Sequence, residues 1–525
     1  MTKSVTSGLA LGRPLEVRPF FYVSMFALIA GLLLGGGTKA GFVSDAVFQL
    51  ISIPMLLAAL WRIRLAPGSS EMRGILAFCA VIIAVPLIQL VPLPPAIWTH
   101  LPGRESITET YELLGRPAPW APVSMAPQST WLVTLSLMPP LAVFLAVLTL
   151  SWRERRLLSL VVVAFALVSA FFGLAQLAQG PDSALRFFEL TNPSSPVGFF
   201  ANANHFAALL CSALLLASAW AAIAIAPMRL SELQPRKDAT DFSIALVAAL
   251  CGAMLVLIAA VVMTRSRAGF ILMLVGLFGA LALPREPSRN ARNSYFVWLI
   301  VGVIALAVLF VGRSALLGVV NRFDGNALAD EREVFARVTV EGARVLMPIG
   351  AGLGAFVEAY PMFAKRDDLV LGTYANHTHN DLLELWLETG VVGPLLLGLF
   401  LCWLFQKAIN AWGPSIAGPL AIDRTLIRAA VLIIALLLGH SLVDYPLRTA
   451  AMTTILAFAC ALLIRPTDRV PEARSVTRAP RADSARRLRS KKEVSATTKG
   501  GPAADHLDTE PSSISPRWIR PGIVT

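Results

Sequence analysis

Charge is scarce in this chain. Of its 525 residues only 15% are Asp, Glu, Lys or Arg, against 56% hydrophobic, and the mean hydropathy is +0.67. That shortage excludes a water-soluble globular protein. Cysteine is scarce as well, and all five (Cys79, Cys211, Cys251, Cys402 and Cys460) fall inside apolar runs. A disulfide framework and a cysteine-based metal site are thereby excluded, leaving apolar packing as their use. Short segments of alternating polarity are missing, which excludes a transmembrane β-barrel. Internal repeats are not evident.

What the chain has instead is a series of apolar runs, each of roughly 17 to 22 residues. Each can cross a hydrocarbon core of about 30 Å as a helix. They fall at about 20–37, 42–61, 74–94, 130–151, 157–178, 204–226, 242–263, 268–284, 295–313, 391–410, 427–446 and 449–464. The expected fold is all-α: a polytopic integral membrane protein of about twelve transmembrane helices with one large periplasmic loop.

Basic residues recur in threes at alternate connections: Lys3, Arg13, Arg18; Arg62, Arg64, Arg73; Arg153, Arg155, Arg156; Arg229, Arg236, Lys237; Arg285, Arg289, Arg292; and Lys407, Arg424, Arg428. The positive-inside rule makes these connections and both termini cytoplasmic. Residues 1–19 resemble a signal sequence but offer no convincing cleavage site, so the first helix reads as uncleaved. Spans one to nine then occupy 20–313, a large outer loop 314–390, and spans ten to twelve 391–464. The tail, 465–525, carries thirteen further basic residues. It reads as disordered, with anionic membrane lipid as a partner. Without interleaved aromatics, nucleic acid is not an expected partner. The outer loop holds Arg322, Arg332, Arg337, Arg344, Lys365 and Arg366, with Arg313 at its edge. These run against the positive-inside trend and suggest a use outside, although long loops also translocate regardless of charge.

One polar stretch stands out, His377-Thr378-His379-Asn380 followed by residues 381–393. As a helix it places Leu382, Leu385, Trp386 and Thr389 on one face and Asp381, Glu384 and Glu388 on an adjoining one. Such a helix is expected to lie along a bilayer or protein surface. His377 and His379 fall at its N-terminal end, where free N–H groups favour anions and disfavour imidazolium. A neutral histidine there is a candidate general base. Arg265 and Arg267 lie between two apolar spans, where guanidinium groups suit a lipid-linked diphosphate, snorkelling to headgroups being the alternative. Arg332 sits among Asp330, Glu331 and Glu333, a setting that also allows surface ion pairs. Asn202 and Asn204 offer donors to sugar or phosphate, or cap the helix that follows. His440 and Asp444, one helical turn apart, form a possible functional or structural pair.

The arrangement His379-Asn380, nine residues, Gly390, two residues, Gly393 resembles the signature of the O-antigen ligase family, within the larger group of bacterial membrane glycosyltransferases. Gly198-x-Phe200-x-Asn202-x-Asn204, the Ser266-Arg267 pair, Arg332, the cluster Gly350-Ala351-Gly352-Leu353-Gly354 and His440-Ser441-x-x-Asp444 resemble further elements in the expected order. The resemblance spans about residues 195–450; the Arg332 element departs in having Ala336 where leucine is often found. It implies glycan transfer from undecaprenyl diphosphate to an acceptor hydroxyl, lipid A–core or another glycan, at the periplasmic face of the bacterial inner membrane. His379, Arg267 and Arg332 would be catalytic, with Arg265, Asn202, Asn204, His377, Asn380 and Gly352 binding substrate. No cofactor or metal is expected, since no Asp-x-Asp motif or His-Cys ligand set stands in an outer loop. Rival readings are an O-antigen or exopolysaccharide polymerase, a protein O-oligosaccharyltransferase and, from another class, a lipid-linked glycan flippase. A flippase would call for repeats, broken helices and charge at the bilayer midplane.

Overall fold

The computed structural model of the protein describes residues 19–38, 41, 43–65, 69–188, 191–228, 237–284, 296–306, 327–368, 375–413 and 421–466. The expectations for the N-terminal arm, for Arg313 and Arg322, and for the basic tail lie outside these residues. Each expected apolar run falls mainly on helix over its described residues. In chain order the helices used here are α1 (Pro19–Leu34), α2 (Val43–Leu65), α3 (Ser70–Gln89), α4 (Pro127–Ser136), α5 (Met138–Leu148), α6 (Trp152–Gln179), α7 (Ala203–Met228), α8 (Lys237–Met263), α9 (Arg267–Ala280), α10 (Phe296–Leu306), α11 (Ala327–Val345), α12 (Asp381–Thr389), α13 (Val392–Trp412), α14 (Ala421–His440) and α15 (Ala450–Leu462).

Among the described residues, seven helical segments are long and apolar enough to cross a membrane: Val43–Arg64, Ser70–Gln89, Pro127–Leu148, Trp152–Gln179, Ala203–Ile225, Ser243–Met263 and Val392–Trp412. α1, α9, α10 and α15 are apolar but shorter, and α14 carries Asp423, Arg424 and Arg428 in its first half. Strand among the described residues is confined to Pro92–Leu93 antiparallel to Ala121–Pro122. Two expected spans are shaped by proline. The run at 130–151 is interrupted at Leu137, just before Pro139 and Pro140, because proline fits the first turn of a helix but not its interior. The run at 427–446 leaves its helix at His440, ahead of Pro446.

α7 is the centre of the bundle. Its Ala-, Ser- and Leu-rich sequence is buried along nearly its whole length, as small side chains let neighbouring helices approach closely where lipid is as apolar as the helices themselves. α8, α9 and α14 pack around it.

The two ends of the bundle differ. At one end, arginines hold helix termini together. Arg155 is fully buried and donates to Val147, Leu148 and Leu150 at the end of α5 and to Ala461 and Ile464 at the end of α15. Arg428 donates to Leu283 beyond α9 and to Ala411 in α13. Each guanidinium thus meets the orphan carbonyls of two helix C-termini. Arg156 pairs with Asp423 at 2.7 Å, and Lys407 with Glu71.

The other end carries a polar cap. Ala126, Phe335, Val338, Leu346, Phe356, Tyr360 and Leu387 form a second apolar core there, separate from that of the bundle. The cap is tied down by Gln89 at the end of α3, which donates to the Glu388 carbonyl and accepts from the Leu353 N–H.

Candidate active site

The site is built where α7 begins, α14 ends and α12 lies across them. Asn380 caps α12: its side-chain oxygen accepts from the Leu382 and Leu383 amides, and its Nδ2 donates to the Leu442 carbonyl at 2.9 Å. The next contact is also between segments, with the Asp381 amide donating to the Ser441 carbonyl at 2.9 Å. Helix α12 is thereby sewn to the turn after α14.

The acidic face of α12 points inward, a choice of face that the sequence reading left open. Asp381, Glu384 and Glu388 are buried, whereas Leu382, Leu385 and Trp386 are only half-buried. The cause is Arg448, whose Nη1 is 2.8 Å from Glu388 Oε2 and 3.5 Å from Glu384 Oε1, while its Nε is 3.6 Å from Asp381 Oδ1. One guanidinium does not neutralise three buried carboxylates. Burial, against the pull of Arg448, pushes Glu388 up to about 7 and Asp381 up to about 6. Glu384 goes the other way: burial opposes its ionisation, but Arg448 and His377 hold it down to about 2.

His377 belongs to this network. Its Nδ1 is 2.8 Å from Glu384 Oε1 and its Nε2 3.3 Å from the Thr38 carbonyl, so both ring nitrogens are engaged. Burial disfavours its imidazolium, yet the Glu384 charge and hydrogen bond outweigh that and raise its pKa above the ordinary value.

His379 is placed differently. Its Nδ1 lies 3.1 Å from Asp444 Oδ1, and among the described residues its Nε2 has no hydrogen-bond partner. The ring is partly exposed, stacked on Phe335 at 6.4 Å and edge-on to Tyr445 at 4.9 Å. A histidine so held, with Nδ1 donating to a buried carboxylate, presents the Nε2 lone pair outward as a base. Its backbone is left-handed, φ 57°, and among the described residues Arg265 at φ 54° is the other non-glycine residue there. Such conformations cost of order 1–3 kcal/mol and concentrate at functional sites.

Asp444 gathers the remaining polar residues. Its Oδ2 accepts from Asn204 Nδ2, and His440 Nε2 approaches the same oxygen at 3.9 Å. The two asparagines therefore divide their work: Asn202 accepts from the Asn204 amide at the start of α7 and bonds Tyr445, while Asn204 reaches Asp444. Arg332 is not in a surface ion pair among the described residues; its Nη1 donates to the Val443 carbonyl at 3.2 Å, which sets the guanidinium beside Asp444 and Tyr445. Arg265 and Arg267 lie at the same end, in the turn between α8 and α9, where Gly269 packs against Ala207 of α7.

Gly352 is used otherwise than for anion contact. The Gly350, Ala351, Gly352 and Leu353 N–H groups go to Leu346, Leu387, Glu388 and Gln89, and a Cβ on Gly352 would collide with Ser124. The glycine loop closes the C-terminal end of α12. Arg448, Tyr445 and Gln89 are the principal residues that the sequence reading left unassigned. Arg448 and Tyr445 had a signal, since they follow directly on His440-Ser441-x-x-Asp444; Gln89 had none.

Residues 252–398, which carry His379, Arg332 and the Arg265-Ser266-Arg267 turn, match the family O-Antigen ligase. Over that stretch the chain is similar to the family. The match is narrower than the resemblance read from the sequence: it includes Arg265, Arg267, Arg332, Gly352, His377, His379 and Asn380, and leaves Asn202, Asn204, His440 and Asp444 outside. No curated protein matches the chain.

Proposed function

We propose that the protein moves a glycan from undecaprenyl diphosphate to an acceptor hydroxyl at the periplasmic face of the bacterial inner membrane. The observation that carries this reading is the His379–Asp444 pair, with Nδ1 engaged, Nε2 without a hydrogen-bond partner among the described residues and Arg332 set beside it. The acceptor hydroxyl attacks the anomeric carbon as its proton passes to His379 Nε2. The bond from that carbon to the diphosphate oxygen breaks, and its electron pair leaves with the diphosphate. A single in-line displacement inverts the anomeric centre. Arg332, Arg267 and Arg265 take up the charge of the leaving diphosphate, the task that magnesium performs for nucleotide-sugar donors. His377, with both nitrogens engaged, is less suited to be the base.

Orientation follows from charge. The basic helix ends holding Arg62, Arg155, Arg156, Lys407 and Arg428 lie opposite the site, and the positive-inside rule, applied to that end, supports a periplasmic site. Gathering of the polar residues at one end, rather than along a central path, favours chemistry over transport.

The test is transfer by the reconstituted protein from undecaprenyl-diphosphate glycan, with lipid A–core or a second lipid-linked glycan as acceptor. Product on lipid A–core identifies a ligase and chain lengthening a polymerase. His379→Ala and Arg267→Ala should each abolish it. Full activity of folded His379→Ala would overturn the mechanism.

A further inference from the structure

Two histidines have no part in the chemistry above. His205, on α7, and His440, the last residue of α14, are fully buried, and among the described residues neither ring nitrogen of either has a hydrogen-bond partner. Each unsatisfied buried donor costs roughly 1–3 kcal/mol, so such groups are rarely left in place. Leucine or phenylalanine would fill the same space without that penalty. Packing alone does not account for imidazole at both positions.

Asp444 does account for them. The His205 and His440 rings are 6.4 Å apart, His205 lies edge-on to Tyr445 at 5.0 Å, and His440 Nε2 is 3.9 Å from Asp444 Oδ2. Asp444 is fully buried and, among the described residues, has no lysine or arginine in an ion pair with it. Its Oδ1 accepts from His379 and from the Tyr445 amide, and Oδ2 from Asn204. The acceptor capacity left on Oδ2 faces His440. A carboxylate removed from water stays ionised and fixed only where donors and dipoles meet its lone pairs.

We propose that His440, backed by His205, is a positioning residue for the base. Its Nε2–H dipole steadies Asp444 Oδ2 from the buried side, and the carboxylate so held keeps His379 Nδ1 protonated and Nε2 free to accept. At 3.9 Å the contact is a charge–dipole one, longer than a hydrogen bond, so His440 does not compete with His379 for the carboxylate. This inference rests on His379 being the base.

The experiment uses the full chain in proteoliposomes, with undecaprenyl-diphosphate glycan as donor and both lipid A–core and a second lipid-linked glycan as acceptors. Rates are taken per folded molecule. His440→Leu should lower kcat about 10-fold or more with KM within about 2-fold. His440→Gln, which restores an N–H donor, should lose less than about 3-fold. If His379→Ala is inactive while His440→Leu keeps wild-type turnover, the inference fails and the base assignment stands. If His379→Ala retains turnover, or wild type transfers to neither acceptor, both fail.

Discussion

Asp444 Oδ1 meets His379 Nδ1 at 3.1 Å across 65 residues of chain, and it does so with a carboxylate that has no access to solvent. The pair joins the turn after α14 to the loop before α12, so the base is oriented by the bundle rather than by its own loop. Asp444→Asn keeps the shape of this contact and removes its charge. An amide presenting N–H to Nδ1 favours the tautomer protonated at Nε2, which cannot accept the acceptor proton. Turnover per folded molecule should fall about 10²-fold or more, the usual worth of a general base, with KM little changed. A loss confined to KM would show that the pair binds acceptor instead.

The second prediction separates two glutamates one helical turn apart. Glu384 is held ionised and accepts from His377 and from the Thr378 amide, whereas burial pushes Glu388 up to about 7 and leaves its Oε1 without a hydrogen-bond partner among the described residues. Glu388→Gln should therefore cost no more than about 1 kcal/mol near neutral pH, while Glu384→Gln costs more. Arg448→Met, which leaves Glu384 with His377 alone and Asp381 and Glu388 with no ion-pair partner among the described residues, should cost about 3–5 kcal/mol. Thermal unfolding of the three purified variants in one detergent would rank them. Equal losses for the two glutamines would contradict the division of charge described here.

The reading from sequence succeeded where one segment carries its own pattern. Apolar length located the helices, and the polar stretch around His379 identified the loop that meets Asp444. It failed where meaning depends on a partner far along the chain. The amphipathic pattern of 381–389 shows that the faces differ, but only Arg448, some sixty residues later, decides which one turns inward. Arg155 and Arg428 contributed to a charge count, yet their geometry joins helix ends, and no local pattern announces that. The glycine cluster had the composition of an anion cradle, but its amides were claimed by the end of α12, which sequence does not bring near.

A third prediction concerns pH and the anchoring of α12. Glu388 and Asp381 have folded pKa values of about 7 and 6, above their ordinary 4.5 and 3.8, so the closed state binds protons more tightly than the open one. Stability from such groups is complete below the ordinary value and is lost as pH rises through the raised one. His377, also raised, acts in the same direction. Glu384, depressed to about 2, loses its contribution only as pH falls from 4.5 toward 2. Amide exchange of α12 should therefore quicken beyond its intrinsic pH dependence between about pH 5 and 8. Glu388, raised by burial, is the largest contributor to that opening. Glu388→Gln should flatten the dependence, and a flat wild-type profile would refute it.

The last prediction concerns the opposite end of the bundle. Arg155 presents a planar fork whose Nε, Nη1 and Nη2 donate to five carbonyls of two helix C-termini at 2.6 to 3.1 Å, the Nε–H being shared by Val147 and Leu150. Lysine supplies the same charge from a single compact ammonium and does not span both helices. Arg155→Lys should leave several carbonyls unsatisfied and lower stability by at least about 3 kcal/mol, close to the effect of Arg155→Met. A residue needed only as a positive-inside charge would instead tolerate lysine and suffer from methionine. Thermal unfolding of the two variants distinguishes these cases. Because Arg155 lies at the far end from His379, turnover per folded molecule should stay within about 2-fold of wild type. The arginine thus supports the end of the bundle that holds no chemistry, and the contrast between lysine and methionine shows whether its fork or its charge is what the fold requires.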